Sequence, residues 1–236
     1  MGPMSIIGRR FLVALLAIGC ASKAAAADAA HPTVVELFQS QGCSSCPPAN
    51  ANVMALAGRA DLLTLSFGVT YWDQLGWKDT FAQPAFTARQ WDYAHRFHLS
   101  GPYTPQVVVN GRRDGVGVDP AELRGLIASA DRGQSGPTLS VGRGRASIGA
   151  AVAPAGGADV WLVRYDPRLV MIPIGRGENA GRTLPHRNVV RQLIRLGRWS
   201  GGATSFQLPS QIPLGLAEAV LVEAGPGGPI LAAARD

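Results

Sequence analysis

The stretch LLTLSFGV at residues 62–69 is almost wholly apolar. A run this short fits a strand buried on both faces, as strands of a parallel sheet covered by helices are. Before it, VVELF at 34–38 is β-branched, short and bounded by turn residues, which marks a second strand. Between the two, PANANVMALAGRA places apolar Val53, Met54, Leu56 and Ala57 ahead of Gly58. That pattern predicts a helix opening near Pro47 and stopping at the glycine. PAFTARQWDYAHRF (84–97) opens on a proline suited to a first helical turn, and sets Phe86, Trp91, Ala94 and Phe97 broadly on one face. QVVVNGRRDGVGV (106–118) reads as strand, turn and strand, and Asp119-Pro120 begins a last helix, PAELRGLIASA. The order β-α-β-α-β-β-α over residues 31–132 predicts a layered α/β domain.

From Ser135-Gly136-Pro137 the texture changes. Short strand candidates follow one another (TLSVG, ASIGAAV, DVWLVRY, LVMIPIG, VVRQLIRLG, TSFQL, AVLVEA, ILAAA), separated by turns rich in glycine and proline. This spacing predicts an all-β, sandwich-like C-terminal domain over 137–236.

The first 27 residues predict the compartment. Arg9 and Arg10 precede the apolar FLVALLAIG, and small residues lead through SKAAAADAA, the pattern of a cleaved signal peptide. The run is too short to span a bilayer, which takes roughly 20 apolar residues in a helix, so no stable membrane insertion is expected. Gly19-Cys20 is also compatible with a lipoprotein cleavage point, although Ala17 stands where leucine is usual. The pair Arg9-Arg10 lacks the spacing of a twin-arginine signal. Periplasmic or secreted location follows as the expectation. Cleavage would remove Arg9, Arg10 and Lys23 but no acid, so the formal charge of +6 would fall to +3. So small a charge, without a clustered basic face, argues against nucleic acid as a partner.

The chemistry concentrates in CSSC. Cleavage would also remove Cys20, leaving Cys43 and Cys46, with Pro47-Pro48 behind them. A pair so spaced at a helix start can close a disulfide, and the unpaired amides and dipole of the first turn favour a thiolate. Cys43 is then the expected nucleophile, nearer solvent, and Cys46 the resolving thiol. Two other readings stay open. Cys43 and Cys46 with His95 and His98 would supply a two-cysteine, two-histidine metal set, or the disulfide is a static staple. No bound cofactor is expected.

Other stretches bear on the site. In YTPQV, Pro105 stands directly before a β-branched strand. The loop YWDQLGWKDTF carries Tyr71, Trp72, Trp77 and Phe81 beside Asp73, Lys78 and Asp79, and falls at the same end of the sheet as Cys43. It is suited either to walling a substrate groove or to packing a helix on the sheet. GRGENAGRTLPHRNVVR (175–191) is glycine-rich without the spacing of a phosphate loop, and reads as a long hairpin connection bearing a polar network. No serine sits in a nucleophile elbow.

These features together resemble the thioredoxin fold: a CxxC after the first strand, the β-α-β-α-β-β-α order, and Thr104-Pro105 before the third strand. More narrowly, VVELFQSQGCSSCPPAN, YWDQLGWKD, YTPQVVVNG and GRGENAGRTLPHRNVVR are similar to a family of secreted bacterial proteins, domain of unknown function 1223. The resemblance implies a thioredoxin-like N-terminal domain in which a cis Thr104–Pro105 bond faces the disulfide. It implies a groove whose candidate walls are Tyr71, Trp72, Trp77 and Tyr103, and a buried acid as proton acceptor, for which Glu36 is the nearest candidate. Glu36 lies seven residues before Cys43, one more than the usual separation, and Ser44-Ser45 replace the usual Gly-Pro spacer. The expected activity is thiol–disulfide exchange on protein or small-molecule thiols and disulfides, with a separate redox partner. The alternatives are a binding module with a structural disulfide, or a metal carrier.

Overall fold

Two parallel strands, β1 (Thr33–Gln39) and β2 (Leu62–Gly68), run side by side with Thr33 opposite Leu62 and Gln39 opposite Gly68. Both are buried along their whole length in a computed structural model that describes residues 1–2 and 25–236. The expected signal peptide and Cys20 fall largely or wholly outside those residues. No described helix is long and apolar enough to cross a membrane.

Burial on two faces follows from helices on both sides. α1 (Cys46–Ala55) and α3 (Pro120–Ala130) cover one face, where Val35 and Leu37 meet Ala49, Val53 and Leu123. α2 (Pro84–Arg96) covers the other, where Val34, Phe38 and Phe67 meet Phe86 and Tyr93. The period-2 alternation of a strand assigns each residue of β1 to one helix layer or the other. β3 (Gln106–Val109) pairs antiparallel with β1, and β4 (Arg113–Gly115) pairs antiparallel with β3. Helix starts match their sequence signals. α1, α2 and α3 each carry proline in the first turn, and Asp119 accepts the Ala121 and Glu122 amides at 2.6 and 3.2 Å to cap α3.

The second half supplies β5 (Leu139–Gly142), β6 (Arg145–Ile148), β7 (Ala158–Asp166), β8 (Val170–Pro173), β9 (Thr183–His186), β10 (Val189–Trp199), β11 (Thr204–Gln207), β12 (Ala217–Glu223) and β13 (Ile230–Arg235). Four of them do not turn away into a sheet of their own, as a free-standing sandwich would require. They extend the first sheet across the outer edge of β2, giving the order β13-β12-β7-β10-β2-β1-β3-β4. The joint is narrow but well tied. Val189 pairs with Ser66, the Ser66 amide donates to the Asn188 carbonyl at 2.9 Å, and Asn188 Nδ2 donates to the Thr64 carbonyl and hydroxyl. An apolar strand left as an edge would be an aggregation template, and the joint at Asn188 and Val189 occupies the middle of that edge. The smaller sheet β11-β6-β5 packs over the extension, with Ile148 against Val160, Leu162, Trp199 and Val222.

One apolar core spans both halves: Phe38, Phe67 and Tyr93 share a cluster with Val163, Leu221 and Ile230. A buried ionic group crosses the same junction. Arg89 of α2 donates Nε to Glu36 of β1 at 2.7 Å and Nη1 to Glu223 of β12 at 2.9 Å.

Candidate functional site

β1 ends at Gln39 at the carboxyl end of the parallel pair, and the chain reaches α1 through a six-residue turn, Ser40 to Ser45. The Cys43 amide donates to the Ser40 carbonyl at 3.1 Å, and the Cys46 amide to the Cys43 carbonyl at 3.2 Å. This tight winding brings the cysteine Cα atoms to 5.5 Å, and Cys43 and Cys46 are joined as a disulfide at the first turn of α1. Pro47 and Pro48 follow where a missing amide leaves no bond unmade. The helix start has no side-chain cap, and no acid lies in its first turn.

The expectation that Cys43 would lie nearer solvent is not met. Cys43 is 0% exposed and Cys46 1% exposed, whereas the spacer residues Ser44 and Ser45 are exposed. The sequence shows the turn but not what covers it, and the cover comes from more than a hundred residues away. Asn179, fully buried in the connection between β8 and β9, donates Nδ2 to the carbonyls of both Gln41 and Cys43 at 2.9 Å. Arg182 donates to Asn179 Oδ1 at 2.7 Å and fixes the amide's orientation. Beside it, the Glu178 carboxylate accepts the Ser44 amide at 2.9 Å. GRGENAGR, read from sequence as a polar connection, is therefore a strap across the cysteine turn. Its glycines have a local reason. Gly177 sits at φ +78°, and an ideal Cβ on Gly175 or Gly177 would lie 3.3 Å from Trp77 atoms.

The aromatic loop packs against both the turn and the strap. Trp72 lies next to Gly42 and donates its indole N–H to Thr104 Oγ1 at 2.7 Å. The Thr104–Pro105 bond is cis, directly before β3. Trp77 donates to Gln41 Oε1 at 2.9 Å, so it braces the cysteine turn as well as the strap. Of the other two candidate walls, Tyr71 packs on the α2-side core with its hydroxyl toward Gln90 and Thr104, and Tyr103 donates its hydroxyl to Asp114 at 2.7 Å. Burial, then the Asp114 carboxylate, pushes the Tyr103 phenol up.

Glu36 does not stand beneath the disulfide. Even-numbered on β1, it faces α2, while α1 and its cysteine lie over the odd-numbered face. Arg89 takes both of its oxygens, at 2.7 and 3.2 Å, and the Tyr93 hydroxyl donates to Oε2 as well. It is a paired structural glutamate, and the extra residue of separation is the sequence signal that set it on that face.

On the α1 face lies a polar group missed by sequence reading. Gln39 donates to Asn50 at 3.1 Å and to Ser66 at 2.7 Å, and Asn50, one turn beyond Cys46, donates to the Pro185 carbonyl at 2.6 Å. Gln39, Ser66, Asp79 and His186 line one small, tight cavity. Asp79 accepts the Gln41 and Phe81 amides, both at 2.7 Å, yet burial pushes its carboxyl above the ordinary value. His186 Nε2 is buried without a hydrogen-bond partner among the described residues, and burial lowers its pKa to about 4. His95 and His98 lie with Asp92, Arg96 and Pro226 around a separate surface hollow. Among the described residues, no group of three or more histidine, cysteine, aspartate or glutamate side chains is placed to hold a metal.

Fold and site together define a mixed α/β protein with a disulfide at a helix start, one large mixed sheet and few helices. The chain belongs to the family described as "Protein of unknown function (DUF1223)", whose model matches residues 34–222. Protein AGR_C_4864 from Agrobacterium tumefaciens, known from a crystal structure, is similar at 28% identity and a TM-score of 0.72. The match covers 89% of this chain and 94% of that one. HBP35 of Porphyromonas gingivalis shares the fold at 13% identity and a TM-score of 0.52, over 90% of this chain and 76% of that one. No curated protein matches significantly.

Proposed function

We propose that this is an exported, thioredoxin-like thiol–disulfide oxidoreductase acting through Cys43 and Cys46. The observation that carries the reading is the disulfide closed across the first turn of α1, where unpaired amides favour a thiolate once the bond is reduced. The strand order β2-β1-β3-β4 supports it, as do the helices on both faces and the cis Thr104–Pro105 bond beside Trp72. Export rests on the N-terminal sequence pattern.

In the reducing direction, the Cys43 thiolate attacks one sulfur of a substrate disulfide. A mixed disulfide forms, and the departing thiolate takes up a proton. The Cys46 thiolate then attacks Cys43 Sγ, re-forms the intramolecular bond and expels the second substrate thiolate. Two electrons leave the pair, and a partner dithiol returns them. In reverse, the same steps oxidise a substrate dithiol. Burial of both sulfurs requires the turn or its cover to open at each exchange.

The test is substrate trapping. Cys46→Ser removes the resolving thiol, so it should accumulate mixed disulfides in the native compartment, and Cys43→Ser should accumulate almost none. A second reading, a binding module with a static disulfide, is favoured by the near-zero exposure of both cysteines. It requires a reduction potential below roughly −300 mV and no trapped species.

A further inference from the structure

We propose that Glu178 and Asn179 are positioning residues of the Cys43–Cys46 pair: they hold the turn in its oxidised form and set how readily the disulfide accepts electrons. The inference rests on the exchange reading above and assigns its regulation to the second half of the chain.

The two residues grip two peptide groups of the turn, Gln41–Gly42 and Cys43–Ser44. Asn179 holds the carbonyls of Gln41 and Cys43, and Glu178 holds the amide of Ser44. The grip on Cys43 is therefore on both sides of its carbonyl carbon, at the residue whose sulfur must move when the disulfide opens. Both Nδ2 hydrogens of Asn179 are used there, and Arg182 donates to its Oδ1. Glu178 adds a charge. Hydrogen bonding from Ser44 holds its carboxyl below the usual range, so it is ionised near neutrality. It thus presents a carboxylate at the uncapped start of α1, where the helix would otherwise offer positive potential to a Cys43 thiolate. Other charged groups near the turn include Asp79, bound to the Gln41 amide, Asp73, bound to the Asp79 amide, and Arg182, with Lys78 in the aromatic loop and Arg176 in the strap.

Reduction by glutathione shows where the charge acts. One glutathione thiolate attacks Cys43 Sγ, the intramolecular bond breaks, and Cys46 leaves as a thiolate that is protonated. A second glutathione thiolate attacks the glutathione sulfur of the mixed disulfide. Glutathione disulfide forms, and Cys43 leaves as a thiolate. Two electrons have entered the pair. That last thiolate emerges beside the Glu178 carboxylate, which opposes it, so the wild-type pair is biased toward the disulfide.

The experiment measures the equilibrium of the full exported chain with glutathione and glutathione disulfide at pH 8, together with the Cys43 thiolate absorbance of the reduced protein. Glu178 is exposed, so its replacement leaves the core intact. E178Q should raise the equilibrium constant for reduction about two- to fivefold, the span of a charge interacting with a helix end, and E178K further. Thiolate absorbance should appear at lower pH in the same order. The differences should shrink in 1 M salt, where the screening length falls to about 3 Å. N179A should speed reduction by dithiothreitol. If both Glu178 variants and N179A match the wild type while the wild-type pair still exchanges with glutathione, the proposal is overturned and the function stands. If neither glutathione nor dithiothreitol reduces the pair in the native wild type or any variant, the proposal falls and takes the exchange reading with it.

Discussion

His186 is buried against the edge of Phe81, with ring centroids 5.4 Å apart, and its Nε2 has no hydrogen-bond partner among the described residues. Burial lowers its pKa from 6.5 to about 4, so the folded protein binds fewer protons than the unfolded chain between those values. Stability therefore falls as pH drops from 6.5 toward 4, by about 3 kcal/mol in all for a shift of this size. Asp79, which lines the same cavity, acts with the opposite sign: its raised pKa favours the fold in acid. The readout is accordingly a difference. Urea midpoints from pH 7 to pH 4 should fall more steeply for the wild type than for His186→Gln, and parallel slopes would sink the assignment. Legibility at this scale depended on whether contacts were local. The disulfide spacing could be read from neighbours in sequence, and the cis bond at Pro105 followed from the family resemblance. The covering of Cys43 could not, because Asn179 reaches it across 136 positions. Parity decided Glu36: counting its distance from Cys43 gave a warning, and strand alternation turned it onto Arg89.

Strands and helices announce themselves through periodicity, and the three α-helices of the first half lie close to their sequence signals, whereas the short 3-10 turn at Asp73–Leu75 lies in a stretch that reads as loop. β9 was missed because TLPH is only four residues long and contains proline. What periodicity does not encode is which edge a strand joins, so β7, β10, β12 and β13 read as a separate sheet although they continue β2. The tie between elements that most depends on exact pairing is Arg89 of α2, held by Glu36 of β1 and Glu223 of β12. Burial pushes the Glu223 carboxyl up, Arg89 pulls it down, and its Oε1 has no partner. Arg89→Leu would leave two buried carboxylates without their cation and should cost about 3–5 kcal/mol in urea unfolding. Replacing Arg89, Glu36 and Glu223 together with leucine should recover much of that loss, since desolvation of the charges is removed along with their attraction. A single Arg89→Leu change of under about 1 kcal/mol would show that the group contributes little.

Across the whole molecule, the sheet and the α2-side core pass from one half to the other without a break, and this predicts how the chain unfolds. Phe38 and Tyr93 share their cluster with Val163 and Leu221, so melting either half would expose apolar surface on its neighbour. The β12–β13 turn adds a close approach. Gly227, at φ +63°, sits against the Asp92 carbonyl of α2, where a side chain has no room. The Ile230 amide also donates to the Asn110 carbonyl at 2.9 Å. Coupling of this kind makes separate transitions costly, so equilibrium unfolding should be one cooperative step. Two reporters can check it: Trp72 beside the cysteine turn, and Trp199, buried under the small sheet. Variants retaining only one of these tryptophans should give coincident urea transitions with equal midpoints and slopes. If Trp199 reported a transition well separated from that of Trp72, the halves would be independent folding units. The strap could then leave the disulfide without the first half unfolding. Coincident transitions would instead confine strap motion to local opening, so that access to Cys43 is set by the Glu178 and Asn179 contacts and not by separation of the two halves.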